Sequence, residues 1–320
     1  MDLTASQSVN APKARVLFVD DEPRVLTTMR MLFRGRYEML FAEGGDKALE
    51  MLKTTPVDVI VSDQRMPGMT GIELLRAARE LNPHAMRILL TGYSDLSAII
   101  GSVNEGEIFR FVNKPWINED LAATVARAVS AAKGSVLAST RTGMKPLQEE
   151  GSKAGPGILV LDDDPNVPGK IQAILGSDFR VYGASSMGNA VGLLEKEKIG
   201  VVISETRVQN HPVVELISTL KRHHPELVSV ILTERADAGQ AIELINEGQI
   251  YRFITKPIHD TQAQIAIKSA ARHHTQLAAT PELHQRYEPA KAKETRPTSA
   301  ATTGLLERLK SIRFWVRQQT

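Results

Sequence analysis

Residues 104–115 read NEGEIFRFVNKP, and residues 246–257 read NEGQIYRFITKP. Eight of the twelve positions are identical, at an offset of 142 residues. Moving outward from this block, the same offset carries VLFVDDEP (Val16–Pro23) onto ILVLDDDP (Ile158–Pro165). It also carries VIVSDQR (Val59–Arg65) onto VVISETR (Val201–Arg207), and ILLT (Ile88–Thr91) onto VILT (Val230–Thr233), with no insertion or deletion between blocks. Four separated blocks on one offset mark a duplicated domain. The period is far longer than the ~20–50 residues of a solenoid repeat.

Inside the first copy, short apolar runs read as buried strands: Val16–Val19, Tyr37–Phe41, Val57–Val61, Arg87–Leu90 and Phe109–Val112. Helical periodicity lies between them, as in Val25, Leu26, Met29, Leu32 and Phe33, with Pro23 suited to the first turn. Asn118, followed by Glu119 and Asp120, reads as an N-cap and an acidic first turn. Continuous apolar strands alternating with helices predict a parallel sheet covered on both faces. Five such units per copy give two tandem flavodoxin-like (βα)5 doubly wound domains, whose ligands sit at the C-terminal ends of the strands.

Composition sets the boundaries. With 320 residues, 42% hydrophobic and 24% charged, the chain reads as an ordinary soluble protein of two domains at roughly 150 residues each. We expect a flexible N-terminus at 1–12, a first domain at 13–133, a Gly/Ser/Lys/Pro-rich linker at 134–156 and a second domain at 157–274. The rest, 275–320, reads as a flexible tail with a short basic amphipathic helix at 305–319, fit for a coiled coil, a docked helix or a membrane surface. The absence of cysteine excludes a disulfide framework, a cysteine-ligated zinc site and a thiol nucleophile. The opening residues carry no apolar signal region, and no apolar run approaches the ~18 residues of a membrane span. These features lead to the expectation of a cytoplasmic protein. A net charge of +2 gives no field strong enough to argue for nucleic acid on its own, and no direct nucleic-acid binding is expected.

The polar residues at the predicted strand ends make one constellation. Strand one ends in Asp20 and Asp21, strand three in Asp63, strand four in Thr91 and strand five in Lys114. Three gathered carboxylates repel one another, by about 4 kcal/mol per pair at 4 Å and an effective dielectric near 20, so the cluster calls for a cation. All-oxygen ligands without His or Cys point to Mg²⁺. Taken one at a time, the acidic residues also read as helix caps or solvated turns, Lys114 as a surface cation and Phe111 as a core aromatic. His223, His224, His273 and His274 lack ligand partners at suitable spacing and are expected at the solvated surface.

In order, strand placement and spacing, this set resembles the receiver domain of bacterial two-component response regulators, over both copies and about three quarters of the chain. The resemblance implies that Asp63 accepts a phosphoryl group from a histidine kinase or phosphotransfer protein. It implies Mg²⁺ held by Asp20, Asp21, Asp63 and the backbone carbonyl of Arg65, and a switch pair of Thr91 and Phe111. Lys114 would pair with the phosphoryl oxygens, and a cis Lys114–Pro115 peptide is expected. Phosphorylation is expected to change association through strands four and five and the helix between them (95–105). Such contact would join two first domains in a homodimer, or the two domains of one chain.

By offset, Asp20, Asp21, Thr91, Phe111 and Lys114 map to Asp162, Asp163, Thr233, Phe253 and Lys256, whereas Asp63 maps to Glu205 and Gly92 to Glu234. The extra methylene of Glu205 displaces the carboxylate, so the second copy reads as a receiver that is not phosphorylated. Glu205 then either imitates a phosphorylated aspartate or belongs to a structural domain. The chain holds no GxxxxGK[ST] loop, no GGDEF-like or HD-type metal cluster and no second basic helix-turn-helix stretch, so no output domain is readable and no enzymatic activity is expected. Neither copy has the D-x-D-x-[TV] pattern of haloacid-dehalogenase phosphatases. The alternatives to a phosphorylation-controlled regulator are a constitutive scaffold and the N-terminal part of a longer effector.

Overall fold

The computed structural model describes residues 13–92, 100–101, 103–104, 108–141, 155–234, 238–281 and 283–284. The expectations for residues 1–12 and for a tail helix at 305–319 fall outside these residues. In the first copy, β1 (Arg15–Val19), β2 (Glu38–Ala42), β3 (Val59–Asp63), β4 (Met86–Thr91) and β5 (Arg110–Asn113) form an all-parallel sheet in the order β2-β1-β3-β4-β5. Around it lie α1 (Pro23–Leu32), α2 (Gly45–Thr54), α3 (Gly71–Leu81) and α4 (Asn118–Arg141), and residues 100–101 and 103–104 are also helical.

The second copy repeats the plan. Strands β6 (Gly157–Leu161), β7 (Val181–Ala184), β8 (Ile199–Ser204), β11 (Val228–Thr233) and β12 (Arg252–Thr255) run parallel in the order β7-β6-β8-β11-β12. Its helices are α5 (Val167–Leu175), α6 (Met187–Lys196), α7 (Val214–His223), α8 (Ala238–Gly248) and α9 (Asp260–Ala279). A two-residue antiparallel ladder, β9 (Arg207–Val208) with β10 (His211–Pro212), is added after β8.

The period of two along each strand explains the layers. Val16 and Phe18 face one side with Leu26, Met29, Leu121 and Val125, while Leu17 and Val19 face the other with Ala48, Leu74 and Leu75. Both sides of the strand are therefore dry, as the unbroken apolar runs require. Pro23 opens α1 as expected, and Thr70 caps α3 in a reciprocal box with Glu73. The strands lie within two residues of their predicted positions.

Two helices run past the domain limits read from composition. Helix α4 continues to Arg141, well into the segment read as a linker, because one interior Gly134 costs only about 1 kcal/mol and does not break a helix. Helix α9 likewise runs past His274 to Ala279. The histidines differ too. His224 is 5% exposed, His274 Nδ1 lies 2.8 Å from the Glu226 carbonyl, and His273 stacks on Tyr251. Only His223 is solvated as expected. Spacing alone could not place these residues, because the helix face each occupies is set by what packs against it.

The two copies touch. Helix α8 packs against β5, and one apolar cluster runs from Val103, Ile108 and Phe111 to Ile242, Ile245 and Phe253.

Candidate functional site

The chain direction of a parallel sheet brings every strand's C-terminus to one edge, and the first copy places its chemistry there. Asp20 follows β1, Asp63 ends β3, Thr91 ends β4 and Lys114 follows β5. Lys114 Nζ lies 2.6 Å from Asp63 Oδ1 and 3.2 Å from Asp20 Oδ2, so one ammonium joins two carboxylates. Backbone N–H groups take the remaining oxygens: Glu22 donates to Asp20 Oδ1 at 2.9 Å, and Arg65 to Asp63 Oδ2 at 3.0 Å. Asp20 and Asp63 are 2% and 6% exposed. Burial raises the pKa of Asp20 against the opposing pull of the Glu22 N–H and Lys114. Burial also disfavours the charged Lys114, but its hydrogen bonds and charge pairing with Asp63 and Asp20 outweigh that and hold its pKa above the ordinary value.

Thr91 is buried and donates through Oγ1 to the Gly92 carbonyl at 3.1 Å, while its own carbonyl accepts from Lys114 N–H at 2.9 Å. Phe111 is packed inward at 2% exposure. Lys114–Pro115 and Lys256–Pro257 are both cis. Asp21 is half-buried. Among the described residues no three acidic or histidine side chains converge into a metal-binding group. The donor chemistry still fits a hard divalent cation, since Asp20 and Asp63 present paired carboxylates already drawn to one positive charge.

The second copy keeps the lysine bridge and alters the rest. Lys256 Nζ lies 2.8 Å from Asp162 Oδ2 and 3.2 Å from Glu205 Oε2. Glu205 Oε1 turns back to accept from Thr206 N–H at 2.9 Å and from its hydroxyl at 3.2 Å. Asp163 accepts from Gln209 N–H at 2.9 and 3.0 Å, at the tip of the β9–β10 ladder. That turn needs left-handed backbone at Gln209 (φ 48) and Asn210 (φ 62). The carboxylate matching Asp21 is thus engaged by the second copy's own loop.

A glycine that the sequence reading missed accounts for part of this difference. A Cβ on Gly71 would collide with the Asp63 carbonyl oxygen and stand 2.7 Å from Leu89 Cδ1. Helix α3 therefore approaches the strand end closely, and only glycine permits it. By offset the second copy has Val213 here, with the rebuilt loop before it. The signal was present as a glycine lost between otherwise parallel copies. Gly71→Ala should cost about 1–3 kcal/mol in urea unfolding. Gly101→Ala, with open space around its Cβ, should be neutral or stabilising.

Set against known proteins, residues 16–126 and 158–268 each match the response regulator receiver domain. The hydrogenase transcriptional regulatory protein HoxA of Cupriavidus necator is 42% identical over 119 residues, 37% of this chain and 25% of that protein. The DNA-binding transcriptional regulator NtrC of Klebsiella pneumoniae is 38% identical over 88 residues, 28% of this chain and 19% of that protein. The chain thus spans a quarter or less of the length of these curated relatives. Among solved structures, the signal receiver domain of an HD domain-containing protein from Pseudomonas fluorescens Pf-5 is 32% identical, covering 39% of this chain and 93% of that one at a TM-score of 0.38.

Proposed function

The chain belongs to the response regulator receiver domain family, in two copies, and from that premise we propose that Asp63 of the first receiver is its phosphoacceptor. The observation that carries this reading is the Lys114 ammonium drawn onto the buried Asp63 and Asp20 carboxylates at the sheet edge. An Asp63 carboxylate oxygen attacks the phosphorus of a phosphohistidine on a histidine kinase or phosphotransfer protein. The P–O bond forms as the P–N bond breaks, and the electron pair leaves on the imidazole. Lys114 offsets negative charge on the phosphoryl oxygens, and the Arg65 N–H orients Asp63. Asp20, Asp21 and Asp63, with the Arg65 carbonyl, are the residues that would hold Mg²⁺. Bound there, the ion would supply charge neutralisation for phosphoryl transfer.

The second receiver, on this reading, takes no phosphoryl group. Glu205 is turned onto Thr206, and Asp163 is held by Gln209. The output is protein–protein contact, and the chain itself acts on no further substrate. Among the described residues no helix is long and apolar enough to cross a membrane. Incubation with Mg²⁺ and acetyl phosphate should add a single acid-labile phosphoryl group to the peptide containing Asp63. Labelling elsewhere, or none, would overturn the assignment. Asp21→Ala should weaken Mg²⁺ binding and phosphorylation while leaving the unfolding transition in place. An unchanged Mg²⁺ titration would remove Asp21 from the site.

A further inference from the structure

Both edge strands where the receivers meet are capped by an asparagine from the opposite copy. Asn246, on α8, accepts from Phe111 N–H at 3.0 Å and donates to the Phe111 carbonyl at 2.8 Å. Asn104, its equivalent by offset, accepts from Phe253 N–H at 2.9 Å and donates to the Phe253 carbonyl at 2.9 Å. Arg252 Nη1 adds a bond to the Asn104 carbonyl at 2.6 Å. A primary amide carries the same donor and acceptor as a peptide group, so one asparagine satisfies both edge groups of one strand residue. The exposed rims of β5 and β12, which would otherwise invite pairing with another chain, are covered this way. The contact is self-complementary in the manner of an isologous dimer, but within one chain.

All four residues lie in the twelve-residue blocks that are most alike between the copies, which supplies a physical reason for the likeness. Each copy must present both an asparagine and an edge phenylalanine. The first receiver's edge also adjoins its chemistry. Lys114, three residues beyond Phe111, is held by Asp63 and Asp20, and its N–H by the Thr91 carbonyl. The position of β5 is therefore set from one end by the Asp63 carboxylate and along its rim by Asn246.

We propose that the second receiver is the resident partner of the first receiver's β5 edge, and that a phosphoryl group on Asp63 loosens the grip of Asn246 on Phe111. The second half rests on the phosphoacceptor reading given above. The direction follows from fit. The two short amide bonds match β5 with Lys114 seated on the bare carboxylate, and hydrogen bonds weaken steeply off their optimum. Added charge at Asp63 re-seats Lys114 and so shifts the strand end. Coupling of this kind is reciprocal, so releasing the clasp must favour the loaded state by the same factor.

The test is peptide-level amide exchange on the full chain, with beryllofluoride and Mg²⁺ as the phosphoryl mimic. Asn246→Ala should speed exchange across residues 108–113 by roughly thirtyfold at most, from the loss of two hydrogen bonds of about 1 kcal/mol each. Asn246→Asp, which keeps the acceptor and the shape, should speed it in the same direction. Beryllofluoride should speed exchange there in the wild type and bind Asn246→Ala more tightly. Bound beryllofluoride with unchanged or slowed exchange would overturn the coupling alone. Failure of beryllofluoride to bind would overturn the phosphoacceptor reading and the coupling with it, while the variants still report on the clasp. Exchange that depends on protein concentration would show a second copy as the occupant and overturn the resident partner.

Discussion

Asp63→Asn should abolish acid-labile phosphoryl incorporation from acetyl phosphate, and Glu205→Asp added to it should not restore any. The first half follows from geometry. Asp63 is the strand-end carboxylate paired to Lys114 at 2.6 Å and oriented by the Arg65 N–H at 3.0 Å. The amide variant keeps the shape and loses the nucleophilic charge. The second half follows from the surroundings of Glu205. Shortening its side chain leaves Asp163 engaged by Gln209 N–H, Val213 in place of Gly71, and the exposed Glu234 in place of Gly92. One methylene is only the most visible of several differences. Mass spectrometry of the intact chain before and after mild acid reads both variants. Label retained in Asp63→Asn would sink the assignment, and label regained with Glu205→Asp would make the second site competent but for one atom group.

The other large effect concerns Lys221, whose side chain is fully buried on α7. Its Nζ donates to the carbonyls of Pro225 at 2.8 Å and Leu227 at 2.6 Å. Burial lowers its pKa from 10.5 to about 7, with only partial opposition from Glu226. Between those two values the unfolded chain binds a proton that the folded chain does not. Stability therefore rises as pH increases from about 7 toward 10.5, and below about 7 the cost of the buried charge is paid in full. The slope is at most about 1.4 kcal/mol per pH unit, for a total near 5 kcal/mol. His274, whose pKa burial also lowers, acts in the same sense below its ordinary value of 6.5. Urea unfolding at several pH values should show the wild type gaining stability across this window and Lys221→Met staying nearly flat. Parallel curves for the two proteins would refute the assignment.

Much of this was legible without coordinates because it depends on local chemistry and counting. The 142-residue offset revealed the duplication, and the apolar strand runs together with helical periodicity led to two parallel sheets. Once the sheets are parallel, Asp20, Asp63, Thr91 and Lys114 must share one edge. That follows from chain direction alone. The substitution of Asp63 by Glu205 was visible in the same register. The histidines were not legible, because burial of His224 depends on which helix face meets the core. Nor was the burial of Lys221, which shares the last turn of α7 with Arg222 and His223.

What the sequence alone determined is the identity of the unit, its repetition, and the set of residues at each strand end, since these rest on patterns carried along the chain. Tertiary structure decided the rest. It set the close pass of Gly71 against Asp63, the capture of Asp163 by the Gln209 turn, and the exchange of asparagines between Phe111 and Phe253. Each joins residues far apart in the chain through one or two directional contacts. Directional contacts leave no period in the sequence, because they depend on where backbones come to lie and not on the order in which residues are strung.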